Sequence, residues 1–408
     1  MKNILVLTYW SYKESLIQAY TLPYLKIILN SLPDNSRIHL FTLEKKSYQL
    51  SQKEKSILQN TLSNQGISLI SAYYRPYGIL MLFSWIYTIL KLTFFCKRKK
   101  FDYIHAWCTP AGAAGFLISK LTGIPLIIDS YEPHADAMVE VGTWGKNSMT
   151  YKILSYLEKK QTSHAKSIIG LTSATPNYIH DRFGIELKRY YLKPACVDLD
   201  QFNPFMKKDQ YLVKHLVLED HVICVYAGKI GGIYLEKEIF DFFKVCLDFF
   251  EGKFIALILS DADEKTIHTL AQNSNFPLSK IRLFNVEHAQ IQKYLLFADF
   301  ALNPVKPVPS KRYCTSIKDG EYWATGLPVV ITPNIADDSV IIKTTNSGAI
   351  IQQLNEAGYL EAVEIIQSML NNVSRSALKK RIRKLAEKYR NYSIAQKVYQ
   401  EIYSNEMS

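Results

Sequence analysis

Ser316–Asn334 reads SIKDGEYWATGLPVVITPN. A serine precedes a short run of helix formers, a Gly-Leu-Pro step interrupts it, and an apolar run follows. Glycine at a helix end and proline just beyond it are stop signals. The stretch therefore predicts a short helix, a turn and a buried strand. Ser316 is placed to cap the helix, and Asp319, three residues on, to close a capping box. The free N–H groups of the helix start then face outward. Lys318 sets a cation in the first turn, where the helix dipole disfavours one, and a bound anion offsets that cost. Glu321 lies one turn in, suited to accept hydrogen bonds from a ribose diol. An ordinary helix start with solvated charges is the competing explanation.

Similar strand-like runs recur along the chain. The first half holds NILVLTYW, RIHLFTLE, ISLISAYY, YIHAWC, PLIIDSY and SIIGLT; the second holds HVICVYAGK, FIALILS, RLFNV, FALNP, PVVITP and GAIIQ. Continuous, partly β-branched runs alternating with helical stretches indicate parallel sheets covered on both faces. Two such series predict two doubly wound α/β domains. The step between them falls in KPACVDLDQFNPFMKKDQ (Lys193–Gln210), giving domains of residues 1–200 and 201–390 and a last helix over about 391–408.

The chain has 408 residues and a formal net charge of +12, with 48% hydrophobic residues. That suits a globular protein with an anionic partner. The six cysteines form no CxxC pair and mostly sit in apolar runs, as reduced thiols of a cytoplasmic protein do. MKNILVLTYW has too short an apolar run for a signal sequence and reads as a first strand.

Two further segments end strands near predicted helix starts, where open α/β sheets bind ligands. In YAGKIGGIYLEKE (Tyr226–Glu238), Gly228, Gly231 and Gly232 permit close backbone approach to a ligand, and Lys229 sits where a phosphate would lie. The glycine spacing is neither a dinucleotide fingerprint nor a P-loop, which counts against a nicotinamide dehydrogenase. AGAAGF (Ala111–Phe116) fails on spacing too and reads as close helix packing. In PLIIDSYEPHADAM (Pro125–Met138), Asp129, Glu132, His134 and Asp136 crowd a strand end. They suit acid–base work, sugar hydroxyls or a metal, and a single histidine without regular ligand spacing disfavours the metal.

Together these segments resemble family 4 glycosyltransferases. EYWATGLPVV resembles the family's E-A-M-A-x-G-x-P-V-V signature, ACVDLDQFNP its interdomain linker, FDYIHAWC its D-x-V-H-A-H strand, YAGKIGG its second-domain opening, and IQKYLLFADFALNP its L-x-x-Y-Y-x-x-A-D segment. The resemblance implies a GT-B fold of two Rossmann-like domains. It implies retaining, metal-independent transfer from a nucleotide-diphosphate sugar, with no separate cofactor. The second domain would hold the donor and the first the acceptor, and the last helix would pack back on the first domain.

Glu321 matches the family's ribose-binding glutamate, while Tyr313 stands where its partner glutamate would be. Lys229 takes the place of a phosphate-binding arginine, and Tyr234 that of a lysine, for which Lys318 or Lys237 can compensate. The family's acceptor-side histidine falls on Tyr131, with His134 as the nearby substitute beside Glu132 and Asp129. A nucleotide-sugar epimerase of the same fold and a non-catalytic partner subunit are the alternatives. Donor sugar, base, acceptor and linkage are not written in these motifs.

Finally, ILMLFSWIYTILKLTFFCKRKK (Ile79–Lys100) is an apolar stretch with one narrow polar stripe (Ser84, Tyr87, Thr88, Lys91) and a basic end. It reads either as a domain helix or as an interfacial helix on an anionic membrane. The expected partners are thus a nucleotide sugar, a glycan or lipid-linked acceptor and an anionic membrane on its inner face, and not nucleic acid.

Overall fold

The computed structural model describes residues 1–75, 79–216 and 220–404; residues 405–408 of the expected last helix lie outside them. The chain divides into two compact units, Met1–Lys193 with Ser393–Ser408, and Pro194–Tyr392. The division follows Lys193 because the next residues belong to the second unit's hydrogen bonding. Ala195 N–H donates to Thr315 Oγ1 at 2.9 Å, and Val197 N–H to the Arg390 carbonyl at 2.7 Å.

The first unit has strands β1 (Asn3–Leu7), β2 (Arg37–Glu44), β3 (Ile67–Tyr73), β4 (Tyr103–Trp107), β5 (Leu126–Tyr131), β6 (Ser167–Gly170) and β7 (Tyr190–Leu192). They pair in parallel in the order β3-β2-β1-β4-β5-β6-β7. Its helices are α1 (Leu22–Asn30), α2 (Gln52–Ser63), α3 (Ile79–Lys99), α4 (Cys108–Thr122), α5 (His134–Glu140), α6 (Met149–His164) and α7 (Thr175–Phe183). Edge strand β7 has no apolar run; Lys188, Arg189 and Lys193 around it read as loop. Every residue of β4, β5 and β6 is buried, as two-sided cover by helices requires. AGAAGF lies in α4, where a Cβ on Gly112 would overlap the Gln161 amide of α6 and one on Gly115 would stand 2.9 Å from Leu126. Its small residues serve helix packing.

The second unit carries α8 (Gln210–Leu216), β8 (Val222–Ala227), α9 (Lys237–Phe249), β9 (Phe254–Leu259), α10 (Glu264–Asn273), β10 (Ile281–Phe284), α11 (Ile291–Leu295) and β11 (Phe300–Asn303). There follow α12 (Ile317–Ala324), β12 (Val329–Ile331), α13 (Asp338–Thr345), β13 (Gly348–Ile350), α14 (Glu356–Asn372) and α15 (Arg375–Tyr389). Its parallel sheet runs β10-β9-β8-β11-β12-β13. The last helix, α16 (Tyr392–Ser404), contributes its side chains to the first unit.

In each sheet the strand order reverses at the centre, between β1 and β4 and between β8 and β11. Ligands of open α/β sheets bind beyond the carboxyl ends of the strands at such a reversal.

Candidate nucleotide and acceptor sites

The stretch Ser316–Asn334 folds as α12, a turn at Thr325–Pro328, and β12. Gly326 takes φ +78°, and a Cβ there would lie 2.8 Å from the Lys379 backbone of α15, so the turn requires glycine. The expected capping box does not form. Ser316 occupies the N-cap position, but its side chain makes no capping bond. Asp319 points inward instead, fully buried, and accepts from Asn303 Nδ2 at 2.8 Å. Its neighbour Asp338 accepts from the Ser316 backbone N–H and pairs with buried Arg390. Burial, then the Asp338 charge, push Asp319 well above the usual carboxylate range, and burial raises Asp338 as well. The bonding that a surface cap would have supplied is replaced by an internal one.

At the carboxyl end of β8, Gly228 faces the start of α12 across the sheet's reversal point. A Cβ on Gly228 would stand 2.6 Å from Lys318 Nζ. That ammonium lies 3.5 Å from the centroid of the Tyr234 ring and 5.7 Å from that of Tyr226, a cation–π cradle. The loop between them is pinned: the Leu235 N–H donates to the Pro304 carbonyl at 2.8 Å, just past β11, and the Tyr226 hydroxyl donates to the Lys229 carbonyl. Gly231 has φ +80° and abuts Glu236, whereas Gly232 borders open space. The Lys229 side chain is exposed. Lys237 is engaged elsewhere, on Asp241 at 2.7 Å. Tyr313, half-buried, ends the short helical turn before α12.

Glu321 is 3% exposed and its carboxylate meets His288 Nε2 at 2.5 Å. His288 comes from the turn after β10 and also contacts the Phe202 ring, with centroids 5.9 Å apart. Burial pulls the imidazole down, but the hydrogen bond and charge of Glu321 outweigh it and leave His288 raised above its ordinary value. The structure thus joins Lys318, Gly228 and Tyr234 in one group, and Glu321 with His288 one turn further along α12.

In the first unit the acidic cluster separates into three. Glu132 Oε1 meets His134 Nδ1 at 2.9 Å. The His134 ring stands edge-on to Tyr9, just past β1, at 5.8 Å and to Trp144 at 6.0 Å. Asp136 accepts from the Tyr151 and Tyr178 hydroxyls, each at 2.9 Å. Asp129, expected among the reacting groups, is fully buried among Lys193 at 3.1 Å, His105 at 3.0 Å and the Tyr399 hydroxyl at 2.7 Å. Burial raises its pKa, but Lys193, His105 and Tyr399 outweigh that and hold it well below the usual range. With no exposure to substrate, Asp129 braces the unit. Tyr131, on which the resemblance's histidine falls, is also buried and donates to Glu158 at 2.7 Å; His134 lies three residues on.

No protein-family model matches the chain, and no curated protein matches it. Solved structures do. A sucrose-phosphate synthase from Thermosynechococcus elongatus aligns over 99% of both chains with TM-score 0.76 at 13% identity. HepE from Anabaena, solved with UDP-glucose, aligns over 99% of this chain and 100% of its own with TM-score 0.73, also at 13%. WaaG, a glycosyltransferase involved in lipopolysaccharide biosynthesis, gives 0.68 over 98% and 99% at 13% identity. The chain has the GT-B fold. At this identity the likeness is one of fold. Within this GT-B chain, the Tyr234 position carries the ammonium of Lys318 against its ring, so a cation reaches the place where the sequence lacks one. His288, Tyr9 and Trp144 escaped the sequence reading. His288 had one signal, a histidine in the turn after the strand-like run RLFNV; Tyr9 and Trp144 had none beyond the end of β1 and a Gly-rich loop.

Proposed function

We propose that the chain is a retaining, metal-independent glycosyltransferase that moves a hexose from a nucleotide-diphosphate sugar to a lipid-linked glycan acceptor, on the cytoplasmic face of a membrane, in surface glycan synthesis. The observation that carries this reading is the placement of Lys318 between Gly228 and Tyr234 at the reversal point of the second sheet, with Glu321 one turn further on. A diphosphate meets the Lys318 ammonium, the exposed Lys229 and the N–H groups that open α12. A ribose diol meets Glu321, in exchange for His288. HepE, of the same fold, was solved with UDP-glucose, which supports a uridine nucleotide as the first donor to try.

In the reaction the anomeric C–O bond to the diphosphate breaks as the acceptor oxygen bonds to the same carbon on the same face. The acceptor proton passes to the leaving phosphate oxygen. The growing negative charge is stabilised by groups already in position, which is the largest contribution such a site makes. Glu132 and His134 of the first unit are the groups that orient the acceptor hydroxyl.

The test is a thermal-shift screen across nucleoside diphosphate sugars, followed by transfer to lipid extracts and by donor hydrolysis. Stabilisation by one donor with acceptor-dependent release of its nucleotide is expected. Acceptor-free conversion of the sugar would make the chain an epimerase, and binding without turnover a partner subunit.

A further inference from the structure

Helices α3 and α6 both pack against α4, so the three form one layer on a face of the first sheet. α3 is anchored by Ile89, Leu92 and Cys96, which are buried in that unit's core. Its other side is unusual. Leu80, Phe83, Tyr87, Leu90 and Phe94 recur at heptad spacing and are each more than half exposed, between 57 and 67%. Of the polar stripe, Tyr87 and Lys91 are exposed, whereas Ser84 and Thr88 are half-buried and the Thr88 hydroxyl donates to the Ser84 carbonyl at 2.8 Å.

α6 repeats the pattern. Tyr151, Leu154, Glu158 and Gln161 face inward, while Met149, Ile153 and Tyr156 are 69, 53 and 60% exposed on the outer side. Lys160 continues that stripe, its ammonium 5.3 Å from the Tyr156 ring.

The charges on this layer are of one sign. α3, α4 and α6 contain a single acidic residue, Glu158, and it is buried. The KRKK run of residues 97–100, Lys91, Lys120 on α4, and Lys152, Lys159 and Lys160 on α6 are all exposed, and none is in an ion pair among the described residues. Two apolar stripes flanked by unpaired cations complement an anionic bilayer: rings and aliphatic chains enter the acyl boundary while the lysines meet phosphates. α3 is long and apolar enough to cross a membrane by length and composition. Its inward side is committed to the core, which suits a helix lying on a bilayer rather than passing through one.

We propose that the α3–α4–α6 face docks this chain on an anionic membrane, with α6 as a second lipid-contacting helix beside α3. Exposure and charge carry the docking, not the transfer reaction, so it is tested separately from donor binding.

The experiment uses the full chain and vesicles of phosphatidylglycerol in phosphatidylcholine, against phosphatidylcholine alone. Flotation with the anionic vesicles, reversed by salt, is expected. The triple change Lys152→Ser, Lys159→Ser, Lys160→Ser should weaken partitioning roughly fivefold per charge removed. The pair Ile153→Ser, Tyr156→Ser should also weaken it, and Phe83→Ser with Phe94→Ser should do so on the other helix. Circular dichroism and UDP binding are read on each variant, because all these side chains are exposed and outside the nucleotide site.

Wild-type protein that ignores anionic vesicles overturns the proposal. So do α6 variants that float like wild type. A concentration-dependent dimer that Phe83→Ser with Phe94→Ser dissolves, without flotation, would assign the face to a second copy and also overturn it. Flotation without nucleotide binding sinks the donor reading alone, and nucleotide binding without flotation sinks the docking and the membrane location but leaves the donor reading standing.

Discussion

Single residues decide how the proposed donor site would read phosphate and ribose. Lys318 was legible in the sequence because it breaks the dipole rule at a helix start. Its cradle was not, since Gly228 and Tyr234 lie some ninety positions away. Lys318→Met tests the contact: it keeps an unbranched stem beside Gly228, whose φ of +153° disfavours any side chain of its own, and removes the ammonium. Nucleoside diphosphate affinity should fall about tenfold with little change in melting temperature, while nucleoside affinity stays. Calorimetric titration of both ligands checks this. The pairing of His288 with Glu321 was not legible, because nothing local ties the two. The raised pKa of His288 means that its stabilising contribution is full below the unfolded value near 6.5 and is lost as pH rises through the folded one. His288→Gln should therefore cost about 1–3 kcal/mol at pH 6 and less at pH 9, read as the difference in denaturant midpoints.

At the scale of an element, α6 shows where periodicity tells and where it misleads. Glu158 precedes two lysines and looks like a surface charge. Yet Tyr151, Leu154, Glu158 and Gln161 fall at steps of three and four, one helix face, and that face is buried. Burial, with Asp136 nearby, outweighs the Tyr131 hydrogen bond and pushes Glu158 up to about 8. An acid raised in this way binds its proton more tightly folded than unfolded. Stability then falls as pH climbs from the unfolded value near 4.5 to about 8 and levels off beyond. Glu158→Gln keeps an amide in the carboxyl's place and cannot ionise. Its stability relative to wild type should improve by on the order of a few kcal/mol between pH 5 and pH 8.5, measured by urea unfolding at each pH.

The whole molecule was the most legible level. The apolar runs located every described strand except β7, because buried parallel strands write themselves as continuous stretches and a short, half-buried edge strand among cations does not. The polar clusters were harder: Asp129 and Asp319 sit in functional-looking motifs but are spent on internal bonding that only tertiary neighbours reveal. Two compact units predict two calorimetric transitions. A saturating nucleoside diphosphate, near one hundred times its dissociation constant, should raise the stability of the second unit by about 2.7 kcal/mol and leave the first unmoved. A ligand that shifts both equally would contradict a donor site confined to the second unit.

The return of α16 has a consequence for the order in which this protein is made. Domains generally fold as they emerge from the ribosome, the N-terminal one first. Here Tyr399 supplies a hydroxyl to Asp129 and Tyr403 one to His105, inside the unit that is translated earliest. Those buried groups wait with bonds unmade while some two hundred residues of the second unit are synthesised and fold. The first unit to be started is the last to be finished, and a nascent chain stalled before α16 presents an incomplete core to chaperones.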